Sequence, residues 1–395
     1  MIEITDNISK IMFKDSHNGY SVLTYIDTNL ELTSDLLEYH LNMAIQKFPI
    51  MKQYMVETDS DIFLEYDVEF NIKHHYKIIY DTYDTFDTYI DKILNLSFET
   101  KSRWLLHYMI DKDSKKYRIY FKIDHSYADG YKIIEMLMSM LDTSNLPNIF
   151  KNRNTNMTET LYYMIFGTLF LFINFFKIIL ESLLLSYKSS EHGKTEHLRC
   201  KPLKLSEIKR ITNNKITVND FLYALLIKTD SLYTNARRNI IISSPINISG
   251  SKHLNNMAPV INNISNTMIN KELLHNIHTV FDSYKYSLYI PIFSFILQYI
   301  LPFIPFALQT HLYNSIIQRC DYIYSNIIGP SHETIEDIHF LTLAKDKEIV
   351  FNIISSNDNI NIICSFKEGV IGDIVRFEKC IYEAYKSLSS EANYE

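Results

Sequence analysis

Cysteine is scarce in this chain. Its 395 residues hold four, at Cys200, Cys320, Cys364 and Cys380. None falls in a Cys-x-x-Cys pair, so neither a zinc site nor a disulfide framework is indicated. Buried free thiols in a reducing, intracellular compartment are the plain reading. Glycine is also rare, at eight residues. No Gly-x-Ser-x-Gly elbow is present to form a serine acyl-enzyme. Positive charge is in deficit: 39 Lys and Arg face 46 Asp and Glu, a net charge of -7. No basic stripe suggests nucleic acid. The start, Met1 to Asp6, has no basic region followed by an apolar core, so no cleaved signal peptide is expected. Sequons at Asn156, Asn247 and Asn263 would matter only in a secreted chain. There is no internal repeat and no low-complexity linker. What the chain does have is apolar and aromatic residues, 47% and 13%. That is enough for a large core, and the length favours two domains.

The most informative stretch runs from Tyr117 to Gly130. Ile119, Phe121 and Ile123 alternate with Arg118, Tyr120 and Lys122, which predicts a strand with one buried face. From Ile133 the apolar residues Ile133, Ile134, Leu137 and Met138 share one face of a helix. His125 therefore lies where a strand gives way to a loop. Asp129 is placed to cap the helix, and Gly130 allows a tight turn. A histidine on a rigid strand end can take a proton and return it within one cycle near neutral pH. With so few glycines, a chance His-x-x-x-Asp-Gly is improbable.

Around this stretch, helices are expected over 36–48 and 84–96 and an extended segment over 61–72. A strand over 101–110, carrying the only tryptophan, Trp104, should pair with the His125 strand as a hairpin. These elements form an α/β N-terminal unit, placed at residues 1–150. Residues 151–203 are read as an apolar helical segment and a crossover linker, and 204–395 as a second unit. The apolar run 161–187 has two readings: a transmembrane or interfacial anchor, or a long helix packed between domains. A second apolar run, 286–308, contains Pro291, Pro302 and Pro305 and should break into short helices. Residues 186–204 are polar and read as the interdomain linker, with His192 and His197 exposed. Beyond it come a short helix over 204–212 and a capped helix beginning at Thr217 or Asn219. Strands follow over 239–246, after a polar stretch from Asn262, and over 321–330. A hairpin over 349–366 and a helix over 370–388 close the chain.

His125, Asp129 and Gly130 stand in the His-x-x-x-Asp-Gly pattern of the CoA-dependent acyltransferase superfamily. Thr217-Val218-Asn219-Asp220 and Ser325-Asn326-Ile327-Ile328-Gly329-Pro330 follow in order. With Trp104, these motifs resemble the wax ester synthase/diacylglycerol acyltransferase (WS/DGAT) family over nearly the whole chain. One departure stands out: the family usually has two adjacent histidines, and Asp124 replaces the first. An acidic neighbour could raise the imidazole pKa if the two met, but strand alternation points them apart.

The resemblance implies two α/β sandwich domains related to chloramphenicol acetyltransferase, with an active-site tunnel between them. It implies a fatty acyl group moving from acyl-CoA, as co-substrate, to a long-chain alcohol or diacylglycerol. His125 would be the general base, with Asp129 capping the helix or pairing with an arginine. Gly130, Asn219, Asp220, Ser325, Asn326 and Gly329 are the substrate-binding candidates. No bound cofactor and no metal are expected, and a membrane or lipid-droplet surface is the expected location. Another acceptor (sterol, short alcohol or amine) and a non-catalytic lipid-binding role are the alternatives. The Asp-Phe-Gly-Trp-Gly motif of plant alcohol acyltransferases is absent.

Overall fold

The alternation of Ile119, Phe121 and Ile123 is realised as the central strand of a five-stranded sheet, but both its faces are covered rather than one: Arg118, Tyr120 and Lys122 are buried too. The fold comes from a computed structural model that describes residues 2–4, 7–15, 20–58, 61–141, 157–183, 193–213, 215–247, 255, 257–344 and 348–391. In chain order the N-terminal half contains β1 (Ile2–Glu3), α1 (Asn7–Asp15), β2 (Ser21–Thr28), α2 (Ser34–Lys47), β3 (Gln53–Glu57) and β4 (Ile62–Tyr66). It continues with β5 (Tyr76–Tyr80), α3 (Phe86–Asn95), β6 (Trp104–Asp111), β7 (Lys116–Asp124) and α4 (Gly130–Ser139). β6 and β7 form the expected antiparallel hairpin. α2 and α4 cover one sheet face, packing Leu37, Leu41, Ile133 and Ile134 against Val22, Ile26, Ile119 and Phe121. α3 covers the other, where Phe86, Ile90 and Ile93 meet Leu23, Tyr25, Met109 and Tyr120. Trp104 is core, and its indole N–H donates to the Met51 carbonyl at 2.7 Å. β1, β4 and β3 make a separate small sheet.

The extended segment expected over 61–72 is strand only from Ile62 to Tyr66. Polar side chains then turn the backbone: Asp67 accepts from the Glu69 N–H and Asn71 from the Lys73 N–H, both at 3.1 Å. Such local bonds compete with strand pairing.

The apolar segment forms α5 (Met157–Tyr162), a π turn (Tyr163–Gly167) and α6 (Thr168–Leu183). Thr160–Glu181 is a 22-residue helical stretch of mean hydropathy 2.0, yet only 17% of its most apolar window is buried. A helix packed between domains would be mostly covered, so that expectation fails. The polar stretch after it also differs from the linker reading. Thr195–Arg199 is β8, an edge strand paired with the penultimate element of the chain. His197 is accordingly half-buried, 3.5 Å from Asp91, rather than exposed. His192 and Asn156 lie outside the described residues.

The C-terminal half adds β9 (Leu203–Lys204), α7 (Leu205–Thr212), α8 (Val218–Thr234), β10 (Asn239–Asn247), β11 (Met257–Ser265), α9 (Asn270–Tyr286) and α10 (Tyr289–Phe295). After them come α11 (Phe306–Arg319), β12 (Tyr322–Ile328), β13 (Ile335–Thr342), β14 (Ile349–Ser356), β15 (Asn359–Lys367) and α12 (Ile374–Glu391). The second sheet has the order β11-β10-β12-β14-β15-β8, with β9 also on β15. Phe221 and Leu225 of α8, Ile277 of α9 and Phe377 and Ile381 of α12 pack on its Tyr322, Tyr324, Phe351 and Ile362. β13 leaves this sheet and joins the N-terminal one beside β2, from Ile335↔Thr28 to Thr342↔Val22. The two halves therefore share a strand.

Residues 286–308 break at Pro302 and Pro305, giving α10 with Pro291 in its first turn, a second π turn (Ile296–Ile300) and the start of α11. α6, α10 and α11 assemble into one helical layer. Leu171, Tyr289 and Phe293 bury against Ala258 and Val260 of β11. Glu181, a charge within the apolar helix, is held by Arg319 at 2.8 Å.

Candidate active site

His125 follows the last residue of β7 and begins a turn. Its backbone N–H donates to the Tyr20 carbonyl at 2.7 Å, which ties the turn to the start of β2. The ring is half-buried, and its Nδ1 is buried with no hydrogen-bond partner among the described residues. Nδ1 is closed off on that side, so it is the remaining, partly exposed part of the ring that a ligand can reach.

Asp124 does not reach the imidazole. Its carboxylate accepts from Arg103 at 3.0 Å and from the Ser126 N–H and hydroxyl at 2.9 and 2.7 Å. It is 3% exposed. Arg103 in turn lies over the Phe13 ring of α1. The acidic replacement therefore braces the turn from behind.

Asp129 is the N-cap of α4. Its backbone is extended, and Oδ1 accepts from the Lys132 N–H at 2.9 Å. Gly130 lies against β12 of the other half: a Cβ there would stand 2.4 Å from Ile327 Cδ1. This close approach brings the His125 loop and the Ser325–Pro330 motif together.

The second-half motifs divide in two. Asn219, in the first turn of α8, accepts through Oδ1 from Asn326 Nδ2 at 2.9 Å and from the Tyr324 hydroxyl at 3.1 Å. Asn219, Ser325 and Asn326 are each only partly buried, so they remain able to face a ligand. Asp220 is fully buried. It completes a capping box with Thr217 and accepts from His278 Nδ1 at 2.7 Å. Its surroundings are those of a structural residue. Gly329 is an architectural requirement: a Cβ would meet the Ser355 carbonyl at 2.6 Å, the same oxygen to which its N–H donates.

Sequence reasoning passed over Asn255. Its amide donates to the carbonyls of His125 and Ser126 at 3.0 and 3.2 Å and to Ser9 Oγ at 2.8 Å. Asn255 lies 130 positions from His125 in the chain. It belongs to no periodic element, so no pattern marked it.

Chemically, the arrangement offers a half-buried imidazole on a braced turn, with β12 of the other half packed against the helix start beside it. Residues 257–389 match the WS/DGAT C-terminal domain family. No curated protein matches the chain in sequence. In structure it is similar to a wax ester synthase/diacylglycerol acyltransferase from Marinobacter aquaeolei VT8, with a TM-score of 0.63, 13% identity and 100% of both chains covered. It is also similar to the starter condensation domain of rhizomide synthetase in complex with C8-CoA and Leu-SNAC, with a TM-score of 0.64 and 8% identity over 100% of this chain and 94% of that one. The first condensation domain of the CDA synthetase matches with a TM-score of 0.62 and 9% identity, over 99% and 96% of the two chains. At such identities the likeness is one of fold: two sheet-rich α/β halves of the chloramphenicol acetyltransferase type.

Proposed function

With a WS/DGAT C-terminal domain at residues 257–389, we propose that the chain is an acyltransferase of the wax ester synthase/diacylglycerol acyltransferase type with His125 as its general base. It takes acyl-CoA as co-substrate and a long-chain alcohol or diacylglycerol as acceptor. The observation that carries this reading is a half-buried histidine on a loop braced by Asp124 and Asp129 and backed by β12.

The step is a direct transfer. His125 accepts the proton of the acceptor hydroxyl as the oxygen attacks the thioester carbonyl. The tetrahedral intermediate collapses, the C–S bond breaks, and the imidazolium returns the proton to the CoA thiolate. Base catalysis of this kind contributes about 10²–10⁴-fold. The transient oxyanion needs donors, which loop backbone amides or asparagines of the second half would supply. Asp129 and Gly130 shape the loop rather than react.

The lipid character of the acceptor draws support from the helical layer. Tyr162, Phe166, Leu169, Ile173, Phe176 and Leu180 recur at helical spacing and are each more than half exposed. Phe295, Tyr299 and Phe303 extend the apolar surface from the second run. Contiguous exposed apolar area of this kind suits a membrane or lipid-droplet surface, with the helices lying on it.

The test is thiol release from long-chain acyl-CoA by the wild type and by His125→Ala, with hexadecanol or diacylglycerol supplied in turn. Release that requires an acceptor and falls by about 10²-fold or more in the variant is expected. No release with either acceptor overturns the lipid-acceptor reading. Equal release by the variant overturns His125 as the base.

A further inference from the structure

We infer that Asn255 is a positioning residue for His125, a clamp through which the C-terminal half holds the turn that carries the base. This rests on the reading of His125 given above. Two consecutive carbonyls, those of His125 and Ser126, converge on the Asn255 amide nitrogen, and Ser9 Oγ of α1 completes the set. Asn255 and Ser9 are both buried, at 3% and 0% exposure. Water is therefore a poor substitute for the amide.

The direction of the bonds matters. Carbonyl oxygens only accept, so the group facing them must donate. A planar neutral amide does so through two hydrogens, one of them shared between two of the three acceptors. A carboxylate of the same shape would set oxygen against oxygen. The clamp acts on the backbone of His125 itself. The N–H of that residue is fixed by Tyr20 on one side and its carbonyl by Asn255 on the other. Together they set the Cα–Cβ direction and hence where the imidazole points. A displacement of about 1 Å at a reacting group can cost about 10²-fold in rate.

Asn255 is anchored independently of the loop. It stands two residues before β11, which pairs with β10 from Met257 to Ser265 and carries the apolar helical layer on Ala258 and Val260. Loop position is thus referred to the second sheet, across the junction between the halves, and not only to β7.

The test compares Asn255→Asp, which keeps the shape and removes the donor, with Asn255→Gln, which keeps the amide, and Ser9→Ala, which leaves both carbonyl bonds. Two readouts are used. One is kcat and KM for acyl-CoA with the better acceptor. The other is the rate at which diethyl pyrocarbonate modifies His125, followed on its peptide by mass spectrometry. For Asn255→Asp we expect kcat to fall about 10–100-fold, with KM within about 3-fold. His125 should be modified at least about 3-fold faster, while the exposed His74 is unchanged. Asn255→Gln should recover part of the kcat, and Ser9→Ala should stay within about 3-fold of the wild type. A kcat and a His125 modification rate both within about 2-fold of wild type in Asn255→Asp would overturn the assignment. So would a loss confined to melting temperature. If the wild type transfers to no acceptor, the reaction reading falls, and the modification rate alone decides the clamp.

Discussion

Asp124 shows how one residue can read as a defect in a motif and serve as a brace in the fold. Its carboxylate holds Arg103 and Ser126 with little exposure. Placing the family's histidine there should not improve the enzyme. We expect Asp124→His to lower kcat by about 3-fold or more and stability by about 1–3 kcal/mol, because Arg103 and Ser126 lose a buried acceptor. Kinetics and a denaturant midpoint check both. Asp129→Ala should cost about 1 kcal/mol through the lost cap, and Asp129→Asn much less, since an amide oxygen can still accept from the Lys132 N–H. His107 gives a pH prediction. Burial pushes its pKa down to about 4, and its Nδ1 lies 2.8 Å from the Tyr89 hydroxyl. Burial also lowers His75, His197 and His339. Between pH 6.5 and 4 the unfolded chain binds a proton that folded His107 refuses, so its contribution is full above 6.5 and lost on acidification. In denaturation at pH 7 and pH 4.5, His107→Gln should be less stable than wild type at the first, by about 1 kcal/mol, and the gap should narrow or reverse at the second. The roles of Asp129 and Trp104 were legible because capping and apolar bulk are local properties. Asn255 was not, because its role exists only once distant segments meet.

Whole elements were legible in proportion to their exposure. α2 and α3 each have a covered and an open face and the hairpins have turns, while α8, covered nearly all round, was marked by its capping box. β2 and β13 lacked such a signature. β2 is buried along its whole length, and its polar members are absorbed by partners: Asp27 by Arg118 at 2.9 Å and Thr28 by the Thr334 carbonyl at 2.7 Å. β13 has a bulge between Ile335 and Asp337 that breaks its alternation. The ends of β12 and α4 allow a contrast between two glycines. An alanine at 130 meets the flexible tip of Ile327, which can rotate away, whereas an alanine at 329 meets the Ser355 backbone. Gly329→Ala should therefore destabilise by about 2–4 kcal/mol and Gly130→Ala by about 1 kcal/mol or less, measured by denaturation. For the helical layer, serine at Phe166, Phe170 and Phe176 together should abolish flotation with anionic liposomes while leaving far-ultraviolet dichroism unchanged. Retained flotation would remove α6 from the lipid-facing surface.

At the scale of the molecule, the α/β class was legible from the order of elements, and the meeting of the His125 loop with the Gly-Pro strand only through the family resemblance. The joining of the halves was not. It depends on β13 and on ion pairs between distant elements: Arg199 of β8 reaches Asp87 of α3 at 3.1 Å and Asp337 of β13 at 3.4 Å. Asn361 of β15 also donates to Asp337 and to the Ile338 carbonyl. A fragment ending at residue 203 should therefore be insoluble on expression, and supplying 204–395 in the same cell should recover soluble material. A soluble, cooperatively melting fragment would contradict the shared strand's importance. The same crossing imposes a schedule on the ribosome. Thr28 and its partner Thr334 are 306 positions apart, so β2 waits for roughly 15–60 s at about 5–20 residues per second before its neighbour emerges. Through that interval Val22, Leu23, Tyr25 and Ile26 offer a bare strand edge to any passing chain. The yield of active protein in a cell is then set by how well nascent-chain chaperones guard a single eight-residue strand until translation reaches Thr342.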